Sequence, residues 1–448
     1  PGSALSSSDG DHGYVPSMPM PHSIDRRQLL RRSLQVGAAA PFATPLVWGL
    51  GGRDRGDQVN LAVLGSGGRG RQLGKQFAQA GALVSVMCDV DSKGLDRALA
   101  TVSEHQETEP QRAADYRHVL EDKSVDAVVI ATPDHWHVPM AIAALQAGKH
   151  VYLEKPMAHN PHEGELMVQA SKKYGLGVQF GIQRRSSVAC GELISRLHAG
   201  VVGELSFARG WYARKRKSIG RGKEIAIPKT LDFDLWQGPA PRTQYRDNLL
   251  PYNWHWFWDW GTGELGNNGP HALDLCRWGL GVQGHPQRVT SGGGTYSHRD
   301  DMQTPDTQVV TYDYGKVGIT FEHRNWHGTG LYGSSFGVVF YGSKGSATTD
   351  GNGYRIYDEQ GELLEEVAGN RGDVEHTADF LRRVREGDRS TVSIEEGHRS
   401  SLLCHLGNIA FRTGHQLNCD PATGRILDDP AAQVLWRREY ESGWEPKI

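Results

Sequence analysis

The chain has 448 residues, of which 38% are hydrophobic and 23% charged, ordinary values for a globular protein long enough to hold two folding units. Its formal net charge is -3, so no global basic field recruits nucleic acid. The five cysteines are widely spaced and form no C-x-x-C pair; this argues against a disulfide framework or a structural zinc site and for small buried hydrophobes.

Residues 1–22 are rich in Ser, Gly, Pro and Met without periodicity, a composition of disorder. Asp25-Arg26-Arg27-Gln28-Leu29-Leu30, then Arg31 and Arg32, lead into a modestly apolar stretch over 34–50 containing Ala38, Ala39 and Ala40. Basic residues before a short apolar run form a signal-peptide pattern, and the paired arginines resemble a twin-arginine export signal. That pattern predicts a periplasmic or other extracytoplasmic location. The alternative is a basic amphipathic arm that stays attached and grips a partner subunit. Pro41 and Pro45 interrupt the run, which is too short for a membrane span. Residues 1–57 are thus set apart from the folded body.

From residue 58 the chain alternates. Residues 59–64 form an apolar run that stops at Gly65 and reads as a buried parallel strand. Strands are also predicted over 83–88, 126–131, 150–153 and 177–181, with helices over 70–80, 92–104, 138–148 and 163–174. This grammar predicts βαβ units and a parallel sheet over 58–183. After about residue 200, β-rich segments at 306–314, 316–323 and 335–341 are joined by short glycine-bearing turns, which predicts an antiparallel sheet. Late helices over 374–386 and 394–412 cover one face or pack back on the first domain. Residues 184–448 are thus expected to form a second domain with a C-terminal tail, which the family resemblance given below implies is the substrate-binding and oligomerisation domain.

Gly65-Ser66-Gly67-Gly68-Arg69-Gly70 follows the first strand and opens the first helix. Gly65 makes the tight turn, Gly67 lets backbone approach a pyrophosphate, and Gly70 lets helix and strand pack closely. The second strand ends at Asp89, about 20 residues on, where a ribose-binding acid belongs. An acid there favours NAD over NADP by repelling a 2′-phosphate, although Lys93 and Arg69 keep NADP open.

Glu154-Lys155-Pro156 falls at the carboxyl end of the fourth predicted strand, where ligands of open α/β sheets bind. A desolvated lysine there polarises a substrate hydroxyl or relays its proton; the plainer reading is a surface Lys–Glu pair. In Gly266-Asn267-Asn268-Gly269-Pro270-His271-Ala272-Leu273-Asp274, Asn267 or Asn268 caps a helix with Pro270 in its first turn. His271 then sits where the helix dipole disfavours imidazolium, as a general base requires, with Asp274 at i+3 on the same face. The plainer reading is a capping histidine.

Trp236, Tyr245, Tyr252, Trp254, His255, Trp256, Phe257, Trp258 and Trp260 form an aromatic segment. Most of it reads as a core stapling a long loop, with two or three rings, Trp254 and Trp258 among them, lining a sugar-sized pocket. Arg209, Arg214, Lys215, Arg216 and Lys217 read as a solvated face, a uronate or phosphate partner being the minor alternative. His135, His137, His159 and His162 match no i, i+4 metal motif, so no catalytic metal is expected.

Together, the glycine turn, Ala131-Thr132-Pro133 with His137, Glu154-Lys155-Pro156 and the His271 to Asp274 segment resemble, in order and spacing, the glucose–fructose oxidoreductase, inositol dehydrogenase and rhizopine-catabolism (Gfo/Idh/MocA) family. The resemblance spans residues 58–425. It implies a Rossmann domain followed by an α/β domain with a large, open, mostly antiparallel sheet. It implies nicotinamide above Lys155, a substrate hydroxyl between Lys155 and His271, and dimers or tetramers built through the open sheet. The candidate cofactor set is Gly65, Ser66, Gly67, Gly68, Arg69, Gly70, Asp89, Thr132, Pro133, His137, Glu154, Lys155 and Gln183. The candidate substrate set is Asn267, Asp274, Arg185, Trp254 and Trp258, beside catalytic Lys155 and His271. One position departs: inositol-oxidising members carry Asp four residues before the histidine, and here it is Asn267, an amide that orients an imidazole without stabilising imidazolium by charge. The reaction implied is hydride transfer between a nicotinamide cofactor and a hydroxyl-bearing carbon of a sugar or polyol. Two alternatives stay open: an NAD-dependent glycosidase working by transient oxidation, elimination, hydration and re-reduction, and a non-catalytic sugar or cofactor binder.

Overall fold

Strands β1 (Asn60–Leu64), β2 (Leu83–Cys88), β3 (Gln111–Ala113), β4 (Ala127–Ile130), β5 (His150–Leu153) and β6 (Val178–Phe180) form a six-stranded parallel sheet in the order β3-β2-β1-β4-β5-β6. This is seen in a computed structural model that describes residues 58–386 and 393–448. The export signal or arm expected within 1–57 lies outside the described residues. Leu61, Ala62, Val63 and Leu64 have no exposed surface, because helices cover both faces of the sheet and successive side chains enter different cores. Each fully buried Leu or Val contributes about 1.5–3 kcal/mol, which fixes the register of β1 between its neighbours. The covering helices are α1 (Gly68–Gln79), α2 (Ser92–Ser103), α3 (Tyr116–Glu121), α4 (His137–Gln146) and α5 (Pro161–Tyr174). β3 has no counterpart among the predicted strands. Gln111, Arg112 and Ala113 lie at the sheet edge, and the first two are exposed, so no apolar run marks them.

The second half contains α6 (Val188–His198), β7 (Leu205–Ala213), α7 (Phe233–Gln237), α8 (Gly263–Leu280), β8 (Arg288–Gly294), β9 (Thr307–Asp313), β10 (Gly318–Arg324), β11 (Phe336–Gly342), β12 (Gly345–Thr349), β13 (Tyr354–Tyr357) and β14 (Leu363–Val367). It ends with α9 (Asp373–Glu386), α10 (Ile394–Thr413), β15 (Leu417–Cys419), β16 (Ile426–Leu427) and α11 (Pro430–Val434). The ten-stranded sheet runs β14-β13-β12-β11-β7-β10-β9-β8-β15-β16. Its pairings are antiparallel except β7 with β10. The strand alternation is clean: β9 buries Gln308, Val310 and Tyr312 and turns Val309 outward. Helix α8 lies along β7, β10 and β11, and α10 packs on both α8 and α5, so the late helix covers the sheet and also docks on the Rossmann domain.

Helix α8 begins at Gly263, about one and a half turns before the predicted start. Asn267, Asn268 and Pro270 are interior positions, and His271 stands mid-helix. Three glycines and a proline weaken the local helix signal, but nearly the whole helix is buried against the sheet and α10, and packing overrides propensity. The aromatic segment is mostly core: Phe233, Trp236, Tyr245, Phe257 and Trp260 pack with Leu231 and Leu249 into a small cluster of their own. All five cysteines are buried and unpaired. Among the described residues no helix is long and apolar enough to cross a membrane.

Candidate active site

A crevice of about 400 Å³ opens over the carboxyl ends of β1, β2, β4 and β5. At its floor, Gly65 adopts φ +88°, and a Cβ there would sit 2.7 Å from the Ala131 carbonyl oxygen. A Cβ at Gly70 would overlap the Gly65 carbonyl oxygen, so turn and helix are in direct backbone contact. Gly67 and Gly68 have open space where a side chain would stand, and no side chain caps the start of α1. Unspent N–H groups at a helix start are a phosphate site.

Asp89, at the end of β2, accepts the Ser66 N–H at 2.6 Å, the Ser66 hydroxyl at 2.8 Å and the Asp91 N–H at 2.9 Å. Burial pushes its carboxyl above the ordinary range, with the Asp91 and Ser66 bonds pulling against the shift. A carboxylate has roughly four acceptor positions, which leaves one for a ribose hydroxyl.

The chain leaves β5 at Leu153 and presents Glu154 and Lys155 to the crevice. Glu154 accepts from Arg69 Nε at 2.7 Å, Gln183 Nε2 at 3.3 Å and the Lys155 N–H at 3.2 Å. Burial alone would raise its pKa, but the Arg69 and Lys155 charges outweigh burial and hold it low. Lys155 moves the opposite way. Burial lowers its ammonium below the ordinary lysine range, against the pull of Glu154 and Asp134. Its Nζ donates to Asn267 Oδ1 at 3.1 Å. The amide of Asn267 is itself fixed, donating to the Tyr252 hydroxyl at 3.1 Å and to Glu264 Oε1 at 3.2 Å.

His137 spans the wall of the crevice, with Nδ1 2.6 Å from the Pro156 carbonyl oxygen and Nε2 3.0 Å from that of Thr132. Burial lowers its pKa to about 4, so the ring is neutral and donates to only one of the two. Burial raises the Asp134 carboxyl to about 7, although the Thr262 hydroxyl donates to it at 2.6 Å.

His271 does not line this crevice. Its Nδ1 is buried without a partner, and burial holds the ring well below the usual histidine range, helped by the charges of Arg184, Lys155 and Arg69. Desolvation mid-helix, rather than the dipole of a helix start, keeps it neutral. Arg185 and Asp274 are committed to each other at 2.7 and 2.9 Å, and Ser400 also donates to Asp274 at 2.8 Å. They tie the turn after β6 to α8 and α10 rather than lining the crevice. Trp254 lines the crevice, stacked on His255 at 3.6 Å between centroids. Trp258 does not; it lies under the Arg412 guanidinium at 5.0 Å. Ser66, Gly70 and Gln183 support the crevice from behind rather than lining it.

Sequence patterns do not single out Asp134 or Glu264, and they place Arg216 on a solvated face. Instead Arg216 turns inward, clamps Glu264 at 2.6 and 3.0 Å, and lies 5.1 Å from the Trp256 ring. Asp134 directly follows the Thr132-Pro133 pair, a signal that was available. The pairing of Arg216 with Glu264 joins residues far apart in the chain and has no local signature.

Residues 59–182 match the model of an oxidoreductase family's NAD-binding Rossmann fold, and residues 204–446 match the same family's C-terminal alpha/beta domain. The chain belongs to the Gfo/Idh/MocA oxidoreductase family. Residues 59–182 are that family's NAD-binding domain. One similar protein is a levoglucosan dehydrogenase of Pseudarthrobacter phenanthrenivorans, 25% identical over 65% of this chain and 79% of the relative. Glycosyl hydrolase family 109 proteins of Saccharopolyspora erythraea and a Shewanella strain are 29% and 34% identical over 44% and 30% of this chain; the chain spans only 42% and 34% of their lengths. Among solved structures, an oxidoreductase domain protein from Kribbella flavida superposes with TM-score 0.64 at 20% identity, covering 81% of this chain and 99% of its own. A levoglucosan dehydrogenase in complex with NADH and levoglucosan superposes with TM-score 0.61 at 17% identity, over the same shares. These likenesses establish the fold.

Proposed function

We propose that this protein interconverts a carbinol and a carbonyl on a sugar or polyol using NAD, with Lys155 moving the proton. One observation carries the reading: Lys155 Nζ and Asn267 Oδ1 meet at 3.1 Å in the crevice that also holds the glycine turn and Asp89. The residues fit a dinucleotide. Gly67, Gly68 and the uncapped start of α1 suit the pyrophosphate, Asp89 a ribose hydroxyl, and Thr132, Pro133 and His137 the wall beside it. A bound nicotinamide supplies the hydride acceptor or donor.

The remaining work falls to the chain's own side chains. Lys155, its pKa lowered by burial, takes a hydroxyl proton as the amine or returns one to a carbonyl oxygen as the ammonium. Asn267 holds Nζ in place, and Tyr252 and Glu264 fix which end of the amide faces the lysine. His271, kept neutral by burial, stands outside the crevice lining and within electrostatic reach of Lys155. Trp236, Leu250, Pro251 and Trp254 give the crevice apolar walls that exclude water and suit the C–H faces of a sugar ring.

The test is NADH formation from NAD with levoglucosan and with scyllo-inositol, the compounds named with similar solved structures. Turnover of such polyols supports the reading; its absence across a broad panel of sugars and polyols sinks it. The glycosyl hydrolase family 109 relatives favour one second reading, a redox glycosidase. That reading predicts aryl glycoside cleavage without added NAD. Twin-arginine export and oligomerisation through the open sheet are further proposals, tested by cell fractionation and light scattering. Val309 and Tyr341, 45% and 37% exposed, support the second, because β-pairing places both on one face of the sheet.

A further inference from the structure

Around the crevice, buried arginines have carboxylate partners. Arg69 meets Glu154 at 2.7 Å, Arg185 meets Asp274 at 2.7 Å, Arg216 meets Glu264 at 2.6 Å and Arg277 meets Glu396 at 3.2 Å. Arg184 differs. No group among the described residues accepts a hydrogen bond from its guanidinium, and its Nε is buried without a partner.

Its neighbours in the chain fix its place. Gln183 donates to the Tyr152 hydroxyl at 2.9 Å and to Glu154 at 3.3 Å. Arg185 holds Asp274, about one turn along α8 from His271. Arg184 therefore sits beside the crevice rather than in its lining, in the turn that follows β6 and within electrostatic reach of His271. Its guanidinium lies 5.4 Å from the Phe336 ring centroid. Gly351, at φ +81°, leaves the space it occupies, since a side chain there would collide with Arg184 Nε. A guanidinium held between a ring and a backbone, with its donors unspent, is prepared for a planar anion.

The charges agree with the geometry. Burial and Arg371 pull Arg184 below the ordinary arginine range, with Asp373 and Asp350 opposing. Among charged side chains acting on His271, Arg184 has the largest effect.

We propose that Arg184 binds a carboxylate of the substrate, which makes the substrate an acidic sugar such as a uronate or an aldonate. The proposal rests on the sugar oxidoreductase reading given above. The planar fork of donors takes the two oxygens of a carboxylate bidentately, and phosphate, which the same fork also accepts, is the competing outcome in the test. Seated there, it balances the charge that depresses His271 and sets the ring at a fixed distance from Lys155.

The test compares rates of NAD reduction on D-glucuronate against D-glucose, and on D-galacturonate against D-galactose, for the wild-type chain, Arg184→Met and Arg184→Gln. NADH affinity is measured by fluorescence on each protein as the check on folding and on the cofactor site. The wild type is expected to prefer the acids by about tenfold or more in kcat/KM. Both variants are expected to lose about a hundredfold on the acids, mostly through KM, with NADH affinity unchanged. Wild-type preference for the neutral sugars, survival of the acid preference in Arg184→Met, or better turnover of sugar phosphates than of uronates would each overturn the proposal. No turnover of charged or neutral sugars, with NADH still bound, would instead remove the sugar reading and this proposal with it.

Discussion

Acidification should unfold this protein earlier than its near-neutral formal charge suggests, because several histidines are buried as neutral rings. Burial lowers His137, His323, His376 and His405 to about 4. A free histidine titrates near 6.5. Above about pH 6.5 the rings are neutral in both the folded and the unfolded chain, and they cost nothing. As the pH falls through 6.5 the unfolded rings take up protons that the folded ones refuse, and stability declines until the folded rings titrate near 4. By about pH 5 each ring has withdrawn roughly 2 kcal/mol, so the four together remove about 8 kcal/mol, a large share of the 5–15 kcal/mol typical of a folded domain. Urea unfolding followed by tryptophan fluorescence at a series of pH values reads the effect directly. His323 does not line the crevice and pairs with Gln308 at 3.2 Å, so His323→Gln isolates one contribution. That variant should flatten the stability loss between about pH 6.5 and pH 5 by roughly 2 kcal/mol. Stability that stays level over this interval in the wild type would refute the argument.

Other perturbations separate parts of the account. Gly70→Ala places a methyl group on the Gly65 carbonyl oxygen, and should weaken NADH binding at least tenfold in a fluorescence titration while lowering Tm. Asp274→Asn leaves the buried Arg185 guanidinium with half its partner, and should cost about 3 kcal/mol in urea unfolding. Asn267→Asp sets a carboxylate against Lys155 Nζ, now 3.1 Å from the amide oxygen; the lysine pKa should rise and the rate of alcohol oxidation should reach its plateau about one pH unit higher.

Some of this architecture is legible in the chain and some is not, for physical reasons. Residues 59–65 declare strand and turn together, since a parallel strand buried on both faces needs a continuous apolar run and the backbone at Gly65 tolerates no side chain. Asp89 and Lys155 are found because strand ends in this sheet type converge on one crevice. β3 is invisible because three residues on a half-exposed edge need no apolar pattern. The start of α8 is misplaced because Asn267, Asn268 and Pro270 imitate a helix cap, whereas long-range burial carries the helix through them. Asp274 and Arg185 are each legible as polar residues near the site, but only the three-dimensional structure shows that they satisfy each other. Trp254 and Trp258 look alike in the sequence, yet one turns to the crevice and the other to Arg412. The Glu264–Arg216 pair depends on a loop closing over α8, a contact that no short window contains.

In the proposed reaction Lys155 carries the proton in a crevice whose residues suit the cofactor. Lys155→Met tests it most directly, with NADH affinity and steady-state turnover measured on one preparation. The account predicts NADH affinity within about threefold of wild type and kcat lower by about a thousandfold or more. A variant that turns over within about tenfold of wild type, while binding NADH normally, would show that the proton moves by another route.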